Sequence, residues 1–189
     1  MKKWITALFI CVTALSFGQQ KNCKYDYEQV TDTLSAKKTT EYMMDEKIFG
    51  ANTTLLQFSL LNHDDVLYLG FQLFEKNNIF IPSKCIMEDS KIFIQLKNGK
   101  IVTLKSTQDV CSQYFFEPEQ QVNTNILTNY YVFNKQNFED LKTQPISMIR
   151  VQFGSEHEDY VPKKSFVSEI TKESYYPENY FMVHLDCVM

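Results

Sequence analysis

Arginine is almost missing from this chain: Arg150 is the sole one among 19 basic residues. Bidentate recognition of phosphates and carboxylates leans on arginine, so its scarcity argues against an enzyme that handles nucleotides. Glycine and proline are sparse too, at five each. No glycine-rich phosphate loop, Gly-x-Ser-x-Gly elbow or cysteine-nucleophile signature occurs. Nor is there an internal repeat, a low-complexity tract or a Pro/Gly/Ser linker. Beyond Leu15 no apolar run approaches the roughly 18 residues of a membrane-spanning helix. The formal charge is −4, and an acidic balance gives no general attraction to nucleic acid or anionic lipid.

What is present begins at the N-terminus. Lys2 and Lys3 precede a mostly apolar stretch from Trp4 to Leu15, and Ser16-Phe17-Gly18 puts small residues at −3 and −1 of a cleavage site. This is the layout of a secretory signal peptide over residues 1–18, with Gln19 as the first mature residue. An uncleaved anchor needs roughly 20 apolar residues, and the polar run from Gln19 to Asn22 arrives too early. A lipoprotein needs a cysteine just after the apolar stretch, but Cys11 lies inside it and Cys23 too far beyond. The mature chain, residues 19–189, reads as one domain, secreted or periplasmic, with no transmembrane segment. Loss of Lys2 and Lys3 takes its formal charge from −4 to −6.

Alternation of apolar and polar residues points to strands. Leu56, Phe58 and Leu60 alternate, as do Leu67, Leu69, Phe71 and Leu73, around the polar break Asn62-His63-Asp64-Asp65; this predicts an antiparallel hairpin. Tyr25 to Asp32 and Thr39 to Phe49 read as less apolar strands. Lys91–Lys97 and Lys100–Leu104 flank Asn98-Gly99, a pair that favours a type I′ turn because both central residues need positive φ. That turn sets Ile94 opposite Thr103 and Leu96 opposite Ile101, with apolar groups on both faces, so both faces are expected to be covered. Cys111–Phe116, Ile126–Phe133 and Ile146–Phe153 are further strands. Asn134 can cap a short helix carrying Phe138 and Leu141, which Pro145 ends. Lys163–Lys172 has helical spacing through Phe166, Val167 and Ile170. The segment from Pro177 alternates as a strand would, but proline in a first turn and acidic Glu178 near it favour a helix.

Four cysteines remain after processing: Cys23, Cys85, Cys111 and Cys187. In an exported chain an even number reads as two disulfides with three possible pairings, and no spacing matches a zinc knuckle or a redox Cys-x-x-Cys. Hairpin geometry prefers Cys85 with Cys111 and Cys23 with Cys187. The type I′ register places Cys111 opposite Ile86, so this pairing requires a one-residue bulge or a break between Pro82 and Ser90.

Candidate chemistry is thin. Glu156-His157-Glu158-Asp159 offers metal-ligating groups, yet its spacing fits neither His-Glu-x-x-His nor an EF-hand, and it reads as a solvated acidic turn. His63-Asp64-Asp65 reads as a turn, and His184 as a packed or surface histidine. No metal, cofactor or catalytic residue is assigned. The aromatic runs Tyr114-Phe115-Phe116, Tyr130-Tyr131 and Tyr175-Tyr176 either fill a core or, pointing outward, recognise a protein or carbohydrate.

Asp32-Thr33-Leu34 resembles the Asp-Ser/Thr-aliphatic sequon of exported Bacteroidota proteins, and implies O-glycosylation at Thr33. With the signal segment and the Lys/Asn/Ile-rich composition, the chain resembles small exported proteins of Flavobacterium-like bacteria; the resemblance carries no activity. The expected molecule is mainly β (α+β): an antiparallel sheet or β-sandwich with short helices near the C-terminus. Its expected role is non-catalytic, binding or structural, in the cell envelope or extracellular space. The alternative is a hydrolase of an envelope or extracellular polymer with acidic catalytic residues.

Overall fold

The computed structural model describes residues 23–31, 35–134, 136 and 138–189. The signal segment and Thr33 lie outside the described residues. The fold is mainly antiparallel β, with one short helix over Phe138–Thr143, between two strands, and another over Tyr180–His184, near the C-terminus.

The strands run in chain order as β1 (Tyr25–Val30), β2 (Ser35–Thr39), β3 (Tyr42–Phe49), β4 (Asn52–His63), β5 (Val66–Asn77), β6 (Cys85–Ile86), β7 (Lys91–Leu96), β8 (Ile101–Ser106), β9 (Val110–Cys111), β10 (Gln113–Glu117) and β11 (Val122–Val132). Helix α1 (Phe138–Thr143) then leads to β12 (Ile146–Phe153), β13 (Glu156–Tyr160), β14 (Phe166–Val167), β15 (Ser174–Tyr175) and helix α2 (Tyr180–His184). One large sheet is ordered β1-β2-β4-β5-β11-β8-β7-β12-β13, with β3 also on β4 and β10 also on β11.

The β4–β5 hairpin is the backbone of this sheet. Its alternation puts Leu56, Phe58, Leu60, Leu69, Phe71 and Leu73 at 1% exposure or less, with Phe58 opposite Phe71 and Leu60 opposite Leu69. The turn is the two-residue pair Asp64-Asp65, both at positive φ, as a type I′ turn requires. Asp64 also accepts a hydrogen bond from the Ser35 N–H, and its own N–H donates to the Ser35 carbonyl.

The sheet is rolled. With strands about 4.8 Å apart, β5 and β13 stand five steps, or roughly 24 Å, from one another along a flat sheet. Yet Lys84 Nζ lies 2.7 Å from Glu75 on β5 and 2.6 Å from Glu158 on β13. The Phe71 and Phe153 rings, from β5 and β12, are 6.3 Å apart. Lys47 on β3 sits over the Tyr160 ring of β13. The inner face therefore closes on one continuous core, which α2 completes: Tyr180 meets Phe58 and Phe181 meets Phe133.

Several expectations are corrected. Asn98-Gly99 does not form a type I′ turn: only Gly99 has positive φ, and Leu96 pairs with Lys100 around the three-residue loop Lys97-Asn98-Gly99. This loop with a left-handed glycine is the bulged hairpin form. Ile94 therefore faces Val102, and Ile92 faces Leu104. Ile92, Ile94, Val102 and Leu104 all point into the core, while Ile101 on the other face is 61% exposed, so that face is not covered. Lys163–Lys172 is not a helix. β14 turns back to β15 because the Ser168 hydroxyl accepts the N–H groups of Ile170 and Thr171, and the Glu46 carboxylate accepts from Ser168 and from the Glu169 N–H. Such side-chain bonds compete with helix formation. From Pro177 the chain is helical, a 3-10 turn over Pro177–Asn179 leading into α2.

Both disulfides are formed, Cys85 to Cys111 and Cys23 to Cys187. The bulge that the first requires sits in the Gly99 turn rather than between Pro82 and Ser90. Its one-residue offset carries outward, so that Cys85 falls directly opposite Cys111 and Ile86 opposite Val110. Among the described residues no helix is long and apolar enough to cross a membrane.

Candidate functional site

The acidic segment Glu156–Asp159 is a strand, not a turn: all four residues belong to β13, and the turn lies before it at Gly154-Ser155. Strand alternation splits them. Asp159 points outward and forms a two-pronged bond with Arg150 on β12, which holds its carboxyl below the ordinary range, mainly through that bond. Glu158 points inward, accepts from the Tyr160 hydroxyl at 2.7 Å and pairs with Lys84. Burial alone would raise Glu158, but the bonds from Lys84 and Tyr160 outweigh it and hold the carboxyl below its ordinary value. Burial likewise opposes the Lys84 ammonium, and the bonds to Glu158 and Glu75 win, so its pKa is raised. Here two carboxylates do converge, but the ammonium stands between them and donates a hydrogen bond to an oxygen of each. No group of three or more His, Cys, Asp or Glu side chains suited to a metal occurs among the described residues.

A second cluster is aromatic and exposed. All five residues of β10 are exposed, Tyr114, Phe115 and Phe116 included. Ile79 and Phe80, at 65% and 72% exposure, stand beside them, with Phe80 and Tyr114 ring centroids 6.3 Å apart. The segment carrying Ile79 and Phe80 is pinned rather than loose. The Asn123 side-chain amide donates to the Ile79 carbonyl, and the Asn125 amide to the carbonyls of Ile81 and Pro82. Ser112 ties to Lys84 through backbone and side chain, and the Cys85–Cys111 bridge follows at once. Two buried asparagines on β11 thus use their polarity to hold apolar rings in solvent. Among the described residues β10 pairs with β11 alone, which leaves its other edge open.

Of the other aromatic runs, Tyr131 and Tyr175 are buried, Tyr130 is half-buried and Tyr176 is exposed. His63 sits at the end of β4 beside Asp64. His184 is half-buried in a cluster with Tyr42 and Tyr180, their ring centroids 4.8 and 5.1 Å from its own. This cluster, with Tyr175 5.0 Å from Tyr42, lines a cavity between the β2–β3 junction, β15 and α2. The sequence singled out neither Phe80, which lies in a stretch with no period, nor Tyr42, which sits in a strand of low apolarity.

Comparison of the chain with protein-family models, with curated proteins and with solved structures gave no match.

Proposed function

We propose that this is a non-catalytic binding protein of the periplasm or extracellular space, and that it holds a protein partner on the aromatic surface of β10 and Phe80. The observation that carries this reading is an exposed apolar cluster on a braced backbone. Apolar groups gathered in solvent mark interaction sites, and aromatics are the side chains enriched at the centre of interfaces. Pre-ordering by Asn123, Asn125 and the Cys85–Cys111 bridge lowers the ordering cost of binding. The open edge of β10 adds backbone donors and acceptors for an extended segment of the partner, with Phe115 on one side of that segment and Tyr114 and Phe116 on the other. Two disulfides and the absence of a spanning helix among the described residues are compatible with export.

The test is a photo-crosslinking residue at position 116 in cells that export the protein. A discrete protein adduct is expected, and it should disappear in the Phe80→Ser/Phe115→Ser variant. That variant should keep its melting transition, because exposed substitutions change stability by only about 0.5 kcal/mol each. An adduct to glycan would make this a carbohydrate-binding surface. Identical adducts in wild type and variant would defeat the proposed surface.

A further inference from the structure

β10 stands out from the sheet as a fin. Tyr114 and Phe116 lie opposite Asn125 and Asn123 on one face, and Phe115 lies opposite Thr124 on the other. The three rings are 49%, 47% and 52% exposed respectively, so neither face of the strand is covered. Folded proteins guard a free strand edge with charge, proline or a bulge. Among the described residues, β1, β3 and β13 also pair along one edge of the large sheet only, and they carry two, three and three charged residues. β10 carries one, Glu117 at its last position, with neither proline nor lysine, and its register with β11 is unbroken. An edge left bare on a braced backbone is a template for another strand.

The sequence of β10 specifies that strand. Opposed residues of an antiparallel pair share a face and pack side by side. A strand that fits Gln113-Tyr114-Phe115-Phe116-Glu117 therefore carries three successive large apolar residues between polar ends. β10 read backwards is such a strand. In a two-fold pair centred on Phe115, each Phe115 meets its own counterpart and each Tyr114 meets a Phe116. Glu117 then meets Gln113 rather than a second carboxylate, so the one charge on the strand does not oppose itself. A shift of two residues would set Phe115 against Gln113 or Glu117, and a slip of one would put opposed side chains on different faces. One register is singled out.

We infer that the partner on this surface is a second copy of the chain, joined edge to edge through two antiparallel β10 strands into one continuous sheet. The inference rests on the binding surface proposed above and names its occupant. A two-fold contact uses the same patch on both copies and closes on itself, so the pair leaves no β10 edge free for a third chain. A contact between two five-residue strands lies at the small end of the interface scale, below about 1,200 Å². Association is therefore transient, with a Kd on the order of 10–100 µM.

Sedimentation velocity of the exported, disulfide-bonded protein should show passage from monomer to dimer between about 1 µM and about 500 µM. Phe115→Lys and Phe115→Glu should each stay monomeric over that range, because like charges then meet at the two-fold axis. Their melting temperatures in dilute solution should stay close to that of the wild type, since the position is exposed. Mixed in equal amounts, the two variants should associate at least about tenfold more tightly than either alone, because position 115 of one then faces the opposite charge on the other. A photo-crosslinking residue at position 116 should join two copies of the chain near Tyr114. A dimer that persists in Phe115→Lys, or a mixture that associates no better than its components, would overturn the inference. A monomer throughout, with the crosslink going to a different protein, would overturn the second copy and keep the binding surface. A monomer that gives no protein adduct would defeat both.

Discussion

Lys84 stands between Glu75 and Glu158, and the three side chains keep only 23%, 16% and 39% of their surfaces exposed. Replacing it with methionine leaves two half-buried carboxylates facing one another. Breaking a fully buried pair costs about 3–5 kcal/mol; with Glu158 still partly in water, we expect about 2 kcal/mol for Lys84→Met, read from urea unfolding. The same cluster has a pH signature. Glu158 is held below its ordinary value of 4.5 and Lys84 above 10.5. A lowered carboxyl stabilises the fold above its unfolded pKa, and that contribution is lost as pH falls through the folded value. A raised ammonium stabilises below its unfolded pKa and loses that contribution as pH rises through the folded one. The gap in melting temperature between wild type and Glu158→Gln should therefore be flat from about pH 5 to pH 10 and narrow outside that window on both sides. A gap that widened in acid would show that the pairing is not what stabilises Glu158. Gly70 marks a different kind of residue-scale demand: a Cβ there would meet the Ser59 hydroxyl oxygen across the β4–β5 pair, so a side chain at this central position requires the Ser59 hydroxyl to turn away.

Among the elements, those whose pattern is local and one-sided were legible from the sequence. β12 alternates because one face meets the core, and so do the large apolar residues of β4 and β5, although Leu55 on the opposite face of β4 is also covered, by Met43 and Tyr175. Asn134, Phe138 and Leu141 announce α1, and Asn134 does accept a bond from the Gln136 N–H. Elements set by distant partners were not legible. β14 and β15 depend on Glu46, more than 120 residues away in sequence, and β13 looked like a turn because its strand is built of charges that pair with Arg150 and Lys84. The aromatic surface was half legible. Tyr114-Phe115-Phe116 is plain to see, but aromatics on both faces of a strand cannot say which face is wet. The Asn98-Gly99 hairpin failed by one residue, since the same dipeptide suits both the tight turn and the bulged one. Gly99 alone takes the left-handed conformation, at φ 85°, where a Cβ costs about 1–2 kcal/mol. Gly99→Ala should lower stability by about that amount in chemical denaturation. A change near zero would mean that the turn relaxes to another form, and the Cys85–Cys111 register with it.

At the scale of the molecule, two crosslinks divide the labour unequally. Cys23–Cys187 spans 164 residues and Cys85–Cys111 spans 26. The chain-entropy model assigns about 5 kcal/mol to the longer closure and about 3.5 to the shorter. The Cys23→Ser/Cys187→Ser variant should therefore unfold at lower urea than Cys85→Ser/Cys111→Ser; the reverse order would place the main restraint in the hairpin. The longer bridge has a mechanical meaning as well. It joins Cys23, ahead of β1, to Cys187, beyond α2, so a pull applied outside that pair runs through one covalent bond and bypasses β1 to α2 altogether. Tethered between a surface and a moving partner, the folded body would bear no load, and the protein would act as an inextensible link. Once both bridges are reduced, the sheltered chain pays out: about 3.5 Å per residue over the 164-residue span gives an extension of roughly 570 Å.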